Sequence, residues 1–552
     1  MTANHRSFIT AAMLTALITA CGGGAPTQSA PAPETQLTLS LSTTKLPVTV
    51  GTTESMNVTL NRAGVTGPVT LSVQGLPAGT TAPSVTVPAG SNVATLQFTA
   101  SGAAAHSLPT NVKIRAVAAG SAAETSATVT VRGAPGAFDT TFAGGHVMTD
   151  VDETDNYGED VAVQPDGKVV VVASSPSNIM SGTGMIMRYT RDGKLDESFG
   201  GDGIVKFTTP GEGQTARAVA IQPDGKIVVV SAAFENGQGK VILRRFTGDG
   251  TPDSAFDHDG VAVGTFPAEG MTVSALLVQP DGKLLVGGSI RQAFPEASVM
   301  VEAPDTAVDF MLARFKPNGA VDETFGAGGY VAEPITEGPE DDYVTSLALQ
   351  EVAGEQRIVA VGGSGEFKLA RFRPTGELDV TFGTDGKVSS VFGDGSTVAY
   401  DVAVQPDGKI VAVGSMGSGG SSEMLIARFD VFGQLDKAFG TNGLVNVNVG
   451  SWWEEFFTVA VQPDGKIVAG GYVAGDTGED VLVMRFNSTG AVDTTFGDGG
   501  VVLAALVPGA MRDEVRSIAL QPDSRIPATR VIALGSAHTP SDMDVALVRL
   551  WP

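Results

Sequence analysis

From Gly201 the chain reads GDGIVKF, ARAVAIQPDG, KIVVVSAAF and KVILRRFTGDG, four short runs rich in β-branched residues, each closed by a glycine or a Pro-Asp-Gly turn. Apolar runs of this length between turn formers predict strands. The pattern returns in phase with two marker phrases. QPDGK stands at Gln164, Gln222, Gln279, Gln405 and Gln462, with altered copies at Gln350 and Gln521. D-x-x-F places its ring at Phe142, Phe199, Phe256, Phe325, Phe382, Phe439 and Phe496, at intervals of 57 residues except for one of 69. Four strands per unit and seven units predict a seven-bladed β-propeller over residues 137–552. Upstream, residues 37–132 alternate apolar and polar positions in segments such as LTLSLS, ESMNVTL and NVKIRAVA, which predicts a β-sandwich. The expected fold class is all-β.

The N-terminus follows another pattern. Arg6 precedes an apolar run from Phe8 to Ala20 that is too short for a membrane span, so residues 1–20 read as an export signal. Residues 21–36, rich in Gly, Ala and Pro, read as a flexible tether. Cys21 is the only cysteine in 552 residues, which excludes a disulfide within the chain. Seventy glycines, 30 prolines and 17% charged residues agree with a turn-rich β chain. A formal net charge of −25 repels phosphate backbones and argues against nucleic acid as a partner.

Three resemblances attach to these residues. Leu17 to Cys21 (LITAC) resembles the lipobox of bacterial lipoproteins, which implies lipidation at Cys21 and an exported protein anchored to a membrane of the cell envelope. Val69 to Ala82 (VTLSVQGLPAGTTA) resembles bacterial immunoglobulin-like domains, so 37–132 is expected to be an immunoglobulin-like sandwich. The paired phrases from Phe138 onward resemble the delta-60 repeat of bacterial secreted and surface proteins, which implies the propeller but no activity.

The repeated residues point to shape. Pro-Asp-Gly closes a hairpin. An arginine recurs as Arg188, Arg245, Arg314, Arg371, Arg428, Arg485 and Arg549, and the D-x-x-F aspartate recurs with it at Asp139, Asp196, Asp253, Asp322, Asp379, Asp436 and Asp493. A guanidinium bound to that carboxylate or to a turn carbonyl would tie each unit together. The chain enters the repeats with a D-x-x-F turn and its following strand but without the rest of a unit. His146 to Thr149 should therefore supply the outer strand of the last blade.

Function is expected where the units differ, on the face opposite the QPDGK turns, which also carries the long insertion Arg291 to Asp309. That face is acidic, with Asp150, Asp152, Glu153, Asp155, Glu159 and Asp160 in one stretch, Glu337, Glu340, Asp341 and Asp342 in another, and Glu454 and Glu455 in a third. Asp309, Glu366, Glu423, Asp480 and Asp544 recur at one strand position, a rim whose natural cation is calcium; no other cofactor is expected. Trp452, Trp453, Glu454 and Glu455 occur once and form the candidate ligand-binding group. Five scattered histidines lack metal-binding spacing, and no nucleophile or phosphate-loop motif stands in its required context. The expectation is a monomeric, non-enzymatic binding or scaffolding head for a cell-envelope protein or glycan. The alternative is a polysaccharide hydrolase or lyase.

Overall fold

The computed structural model describes residues 36–178, 181–209, 212–235, 238–292, 308–336, 341–393, 395–418, 420–450, 453–475, 478–507, 512–523 and 528–552. Cys21, Trp452, Glu337, Glu340 and most of the Arg291 to Asp309 insertion lie outside them. Every regular element among the described residues is a strand.

The first part is a two-sheet sandwich. One sheet orders Gln36–Leu41, Thr53–Ala63, Val93–Ala100 and Thr80–Thr81; the other orders Lys45–Thr49, Ser121–Arg132, Thr110–Ala118, Val69–Gln74 and Val85–Val87. Strand alternation sends Met56, Val58 and Leu60 into a shared core with Phe98, Ile114 and Val129, while Asn57 and Thr59 face solvent.

The remainder repeats a four-stranded antiparallel unit. In the first, Tyr157–Val163 pairs Val169–Asn178, which pairs Ser181–Tyr189, which pairs Ile204–Thr208. Second and third strands are buried almost throughout, as in Ile227–Glu235, because neighbouring units cover both faces. Such a strand is apolar continuously rather than alternately. The last unit, Asp513–Asp523, Ala528–His538 and Met543–Leu550, takes its outer strand from His146–Thr149, with His146 opposite Val548 and Thr149 opposite Val545. This is the predicted closure. The first and last units also share one core, in which Phe142, Val171 and Met187 pack with Ile532, Leu534 and Leu547.

The marker phrases hold neighbouring units together. Arg371 is fully buried: it pairs with Asp379 at 3.0 Å, lies 4.7 Å from the centre of the Phe382 ring, and donates to Gln350 at 2.9 Å. It also donates to the Val431 carbonyl of the next unit at 2.6 Å. The arginine-to-aspartate pair and the arginine-over-phenylalanine stack recur in all seven copies, from Arg188 with Asp196 to Arg549 with Asp139. QPDGK therefore does more than close a hairpin. Its lysine supplies a second cation to the same aspartate, as Lys168 does to Asp196 at 2.9 Å, and the altered copies keep the contact with Arg357 and Arg530. Its glutamine crosses to the next unit, Gln350 donating to the Gly408 carbonyl at 2.7 Å and Gln521 to that of Gly167 at 2.8 Å.

Candidate functional site: a channel lined by bulged residues

Each innermost strand carries a register shift near the same place, between Gly158 and Asp160, Gln214 and Ala218, Val273 and Ala275, Val344 and Ser346, Ala399 and Asp401, Phe456 and Thr458, and Val515 and Ser517. A β-bulge adds a residue without a partner and re-aims its side chain. The residues within these shifts include Glu159, Arg217, Ser274, Thr345, Tyr400, Phe457 and Arg516, and all seven line one cavity of about 320 Å³. In five units the second strand accommodates the bulge with glycine, at Gly288, Gly362, Gly414, Gly471 and Gly535, while Ala173 and Ser231 stand there in the first two. A Cβ on Gly414 would sit 1.8 Å from the Val398 carbonyl oxygen, and one on Gly471 would sit 1.8 Å from that of Glu455.

The channel wall differs around its circumference. Glu159 pairs with Arg217 at 2.7 Å and accepts from Ser174 at 2.7 Å. Arg516 lies 4.8 Å from the centre of the Phe457 ring and donates to the buried Glu514 at 2.8 Å. Phe457 meets Tyr400 edge-on at 5.1 Å and Tyr472 at 5.4 Å. Ser274 and Thr345 make the opposite wall small and uncharged. Burial and the neighbouring Glu455 charge push the Tyr400 phenol up to about 12, so it stays a hydrogen-bond donor. Burial also raises the Glu455 carboxyl, although Tyr400 and Ser415 hydrogen-bond it and Arg516 lies near.

One step deeper, two aspartates staple inner strands. Asp160 accepts from Ser517 at 2.7 Å and from the Val219 backbone at 2.9 Å; Asp401 accepts from Ser346 at 2.6 Å and from Val459 at 2.7 Å. Burial pushes the Asp160 carboxyl up to about 6, against these bonds.

The residues expected from the sequence fall into different settings. Trp453 is exposed at the start of its strand, whereas Glu454 is fully buried and accepts from the Val449 backbone at 3.0 Å, so it caps a loop and does not belong to a ligand surface. Asp342 is buried likewise, accepting from Ile335 at 2.6 Å and pairing with Lys368 at 2.6 Å, and it does not contribute to an open acidic face. Of the five rim carboxylates, Glu423 binds Asn446 and Asn448, and Glu366 binds Ser389. Asp309, Glu366, Glu423 and Asp480 join no metal-like cluster among the described residues. Asp544 does, with Asp150 and Asp542. Of the channel residues, sequence reading named Glu159 and Asp160 as members of the acidic face and missed Arg217, Ser274, Thr345, Tyr400, Phe457 and Arg516. Their signal was available: the position five before each QPDGK glutamine or its altered copy runs Glu, Arg, Ser, Thr, Tyr, Phe, Arg, varying at a fixed distance from a repeated phrase.

Residues 164–199, 222–256, 279–325, 352–382, 405–439 and 462–496 match the family model described as a domain of unknown function (DUF5122) beta-propeller. The chain is a β-propeller repeat protein. Five of the six matches begin at a QPDGK glutamine, and all six end at a D-x-x-F ring, so the interlocking residues of the propeller also bound the stretches that resemble the family model. No curated protein matches the chain. Among solved structures, the propeller chain aligns with an ICAM-5 D1-D4 ectodomain fragment at 11% identity, over 93% of this chain and 99% of that one, with a TM-score of 0.15. It aligns with the tail fiber of Staphylococcus aureus phage P68 at 9% identity, over 66% and 98%, with a TM-score of 0.15. A tetra-tandem repeat from the extending region of a large adhesion protein aligns at 11% identity, over 94% and 99%, with a TM-score of 0.14.

Proposed function

We propose that the protein is a binding or scaffolding head of the cell envelope: a lipid anchor at Cys21, a tether, an immunoglobulin-like spacer, and a seven-bladed propeller that receives its ligand at the channel mouth. The carrying observation is the channel itself. Repeated residues hold the ring, and the non-repeated ones, Glu159, Arg217, Tyr400, Phe457 and Arg516, converge on one cavity. An aromatic wall carrying a guanidinium suits a sugar ring or peptide that bears a carboxylate. Screening the purified full chain against acidic glycans and envelope peptides tests this reading. Phe457→Ala and Arg516→Ala should each weaken a captured ligand roughly tenfold or more, the loss typical of a central anchor, while Trp453→Ala on the rim should not. Retained binding in both channel variants would move the site elsewhere.

The hydrolase or lyase reading has one observation in its favour, since Asp160 and Asp401 both line the cavity and burial raises both carboxyls. Both, however, have their oxygens occupied by neighbouring strands. Release of reducing ends from a bound polysaccharide, lost in Asp160→Asn, would favour the enzyme.

A further inference from the structure

We propose that Asp150, Asp542 and Asp544 form a divalent-cation site, for a hard cation of calcium's class, that locks the ring where its two chain ends meet. The site goes beyond the channel reading and does not depend on it.

Three observations converge. Thr149, the last residue of the closing strand, stands opposite Val545, so Asp150 follows that strand directly and Asp544 is the next residue along its partner. Asp542 lies in the bend that leads into the strand carrying Asp544. One oxygen from each of the three carboxylates lies within 4.8 Å of the others. Like charges brought together across paired strands destabilise the pairing, and here they gather at the end of the strand that closes the ring.

The setting of Asp544 points to a missing ligand. It is only 8% exposed, and its Oδ1 has no hydrogen-bond partner. The other two acids are held in place by one oxygen. Asp542 Oδ1 accepts from Thr539 at 2.8 Å and Ser541 at 2.9 Å, and Asp150 Oδ1 accepts from the Glu153 backbone at 3.1 Å. Nearby Asp152 pairs with Lys206 at 2.5 Å, and Asp155 accepts from the Met543 backbone at 3.0 Å, so neighbouring acids have partners. Among the described residues, no ion pair joins Asp150, Asp542 or Asp544 to a cation.

Carboxylate oxygens are the donors that calcium and magnesium take. Three of them fill about half of the 6 to 8 positions of calcium, leaving the rest to water and suiting the weak affinity of extracellular modules, roughly 0.1–1 mM. Binding to the closed ring alone would stabilise it by mass action.

The test uses the full chain after chelator treatment, with calcium and magnesium titrated by calorimetry, thermal melting, and amide exchange followed at His146–Thr149. The expected result is one saturable calcium site, a higher melting temperature, and exchange at the closing strand slowed roughly tenfold or more. Asp544→Asn removes a like charge, so it should fold, melt higher than the wild type in chelator, and respond to calcium little or not at all; Asp542→Asn should behave similarly. Asp480→Asn, on the rim of the preceding unit, should keep the wild-type response. The proposal fails if neither cation binds or shifts melting. It also fails if Asp544→Asn responds like the wild type, or if Asp480→Asn loses as much as Asp544→Asn, which would mark diffuse surface screening.

Discussion

Arg549 donates to Asp139 at 2.9 Å across a separation of 410 residues, joining the last repeat's arginine to the first repeat's aspartate. The same guanidinium lies 4.7 Å from the centre of the Phe142 ring and donates to Gln521 and Thr141, at 3.0 and 2.8 Å. The geometry found within every other unit is thus rebuilt between the two ends of the propeller, so the clamp itself is unbroken where the ring closes.

Deleting residues 137–150 should accordingly open the last unit and loosen the core it shares with the first, which loses Phe142. Amide exchange over Val531 to Leu550 should accelerate, because Met543–Leu550 becomes an exposed edge. Exchange in Leu284–Gln292 and Ile410–Ser418 should stay protected. Uniform exchange after deletion would contradict this account of closure.

Arg428 tests the clamp within a unit. It bonds Asp436 at 2.9 Å and Gln405 at 3.1 Å, and stacks 4.4 Å from the centre of the Phe439 ring. Arg428→Ala leaves the half-buried Asp436 with Lys409 as its one cation and orphans Gln405, and should cost about 1–3 kcal/mol in denaturant unfolding. Arg428→Lys should recover less than half, since an ammonium cannot supply the planar fork.

The clamp aspartates also set the acid limit. Burial pushes Asp196, Asp253, Asp322, Asp379, Asp436 and Asp493 up, but hydrogen bonds and the paired Arg and Lys charges outweigh it, and each lies below the ordinary carboxylate range. A depressed folded value means stability that is present above an unfolded value of about 3.9 and lost as pH falls below it. Melting temperature should therefore drop steeply below about pH 4, and Asp379→Asn should reduce that slope.

Asp160 should act in the opposite sense. Its carboxyl is raised to about 6, so its share of stability is full below an unfolded value of about 3.9 and declines as pH rises through 6. Asp160→Asn should flatten this part of the melting profile. Asp160→Ala should instead cost about 1–3 kcal/mol by orphaning the Val219 N–H.

Trp551 joins the sandwich to the propeller. It is fully buried, donates to His106 at 3.2 Å, and lies under Arg530 at 4.6 Å from its ring centre. Trp551→Ala should cost about 3–5 kcal/mol and separate the melting of the two parts in calorimetry. A single unchanged transition would mean that the contact is incidental.

Cys21→Ser should release the protein from membranes into soluble fractions. A variant that remains membrane-bound would remove the lipid anchor from the proposed function.

Strand content, repeat phase, the arginine-to-aspartate pairing and the closing strand were all legible in the sequence, because turn chemistry and short apolar runs act locally and recurrence marks what the ring needs in every copy. The channel was not legible. A bulge inserts one residue into the two-residue alternation, so Tyr400 and Phe457 reach the cavity by a shift that periodicity alone does not display. Glu454 and Asp342 read as surface acids but fold inward as loop caps, since their partners, the Val449 and Ile335 N–H groups, become donors only once the loops turn back. Asp150 and Asp544 read as members of two unrelated stretches. Only closure of the ring brings them together, because pairing between chain ends is decided by the fold as a whole and leaves no local pattern.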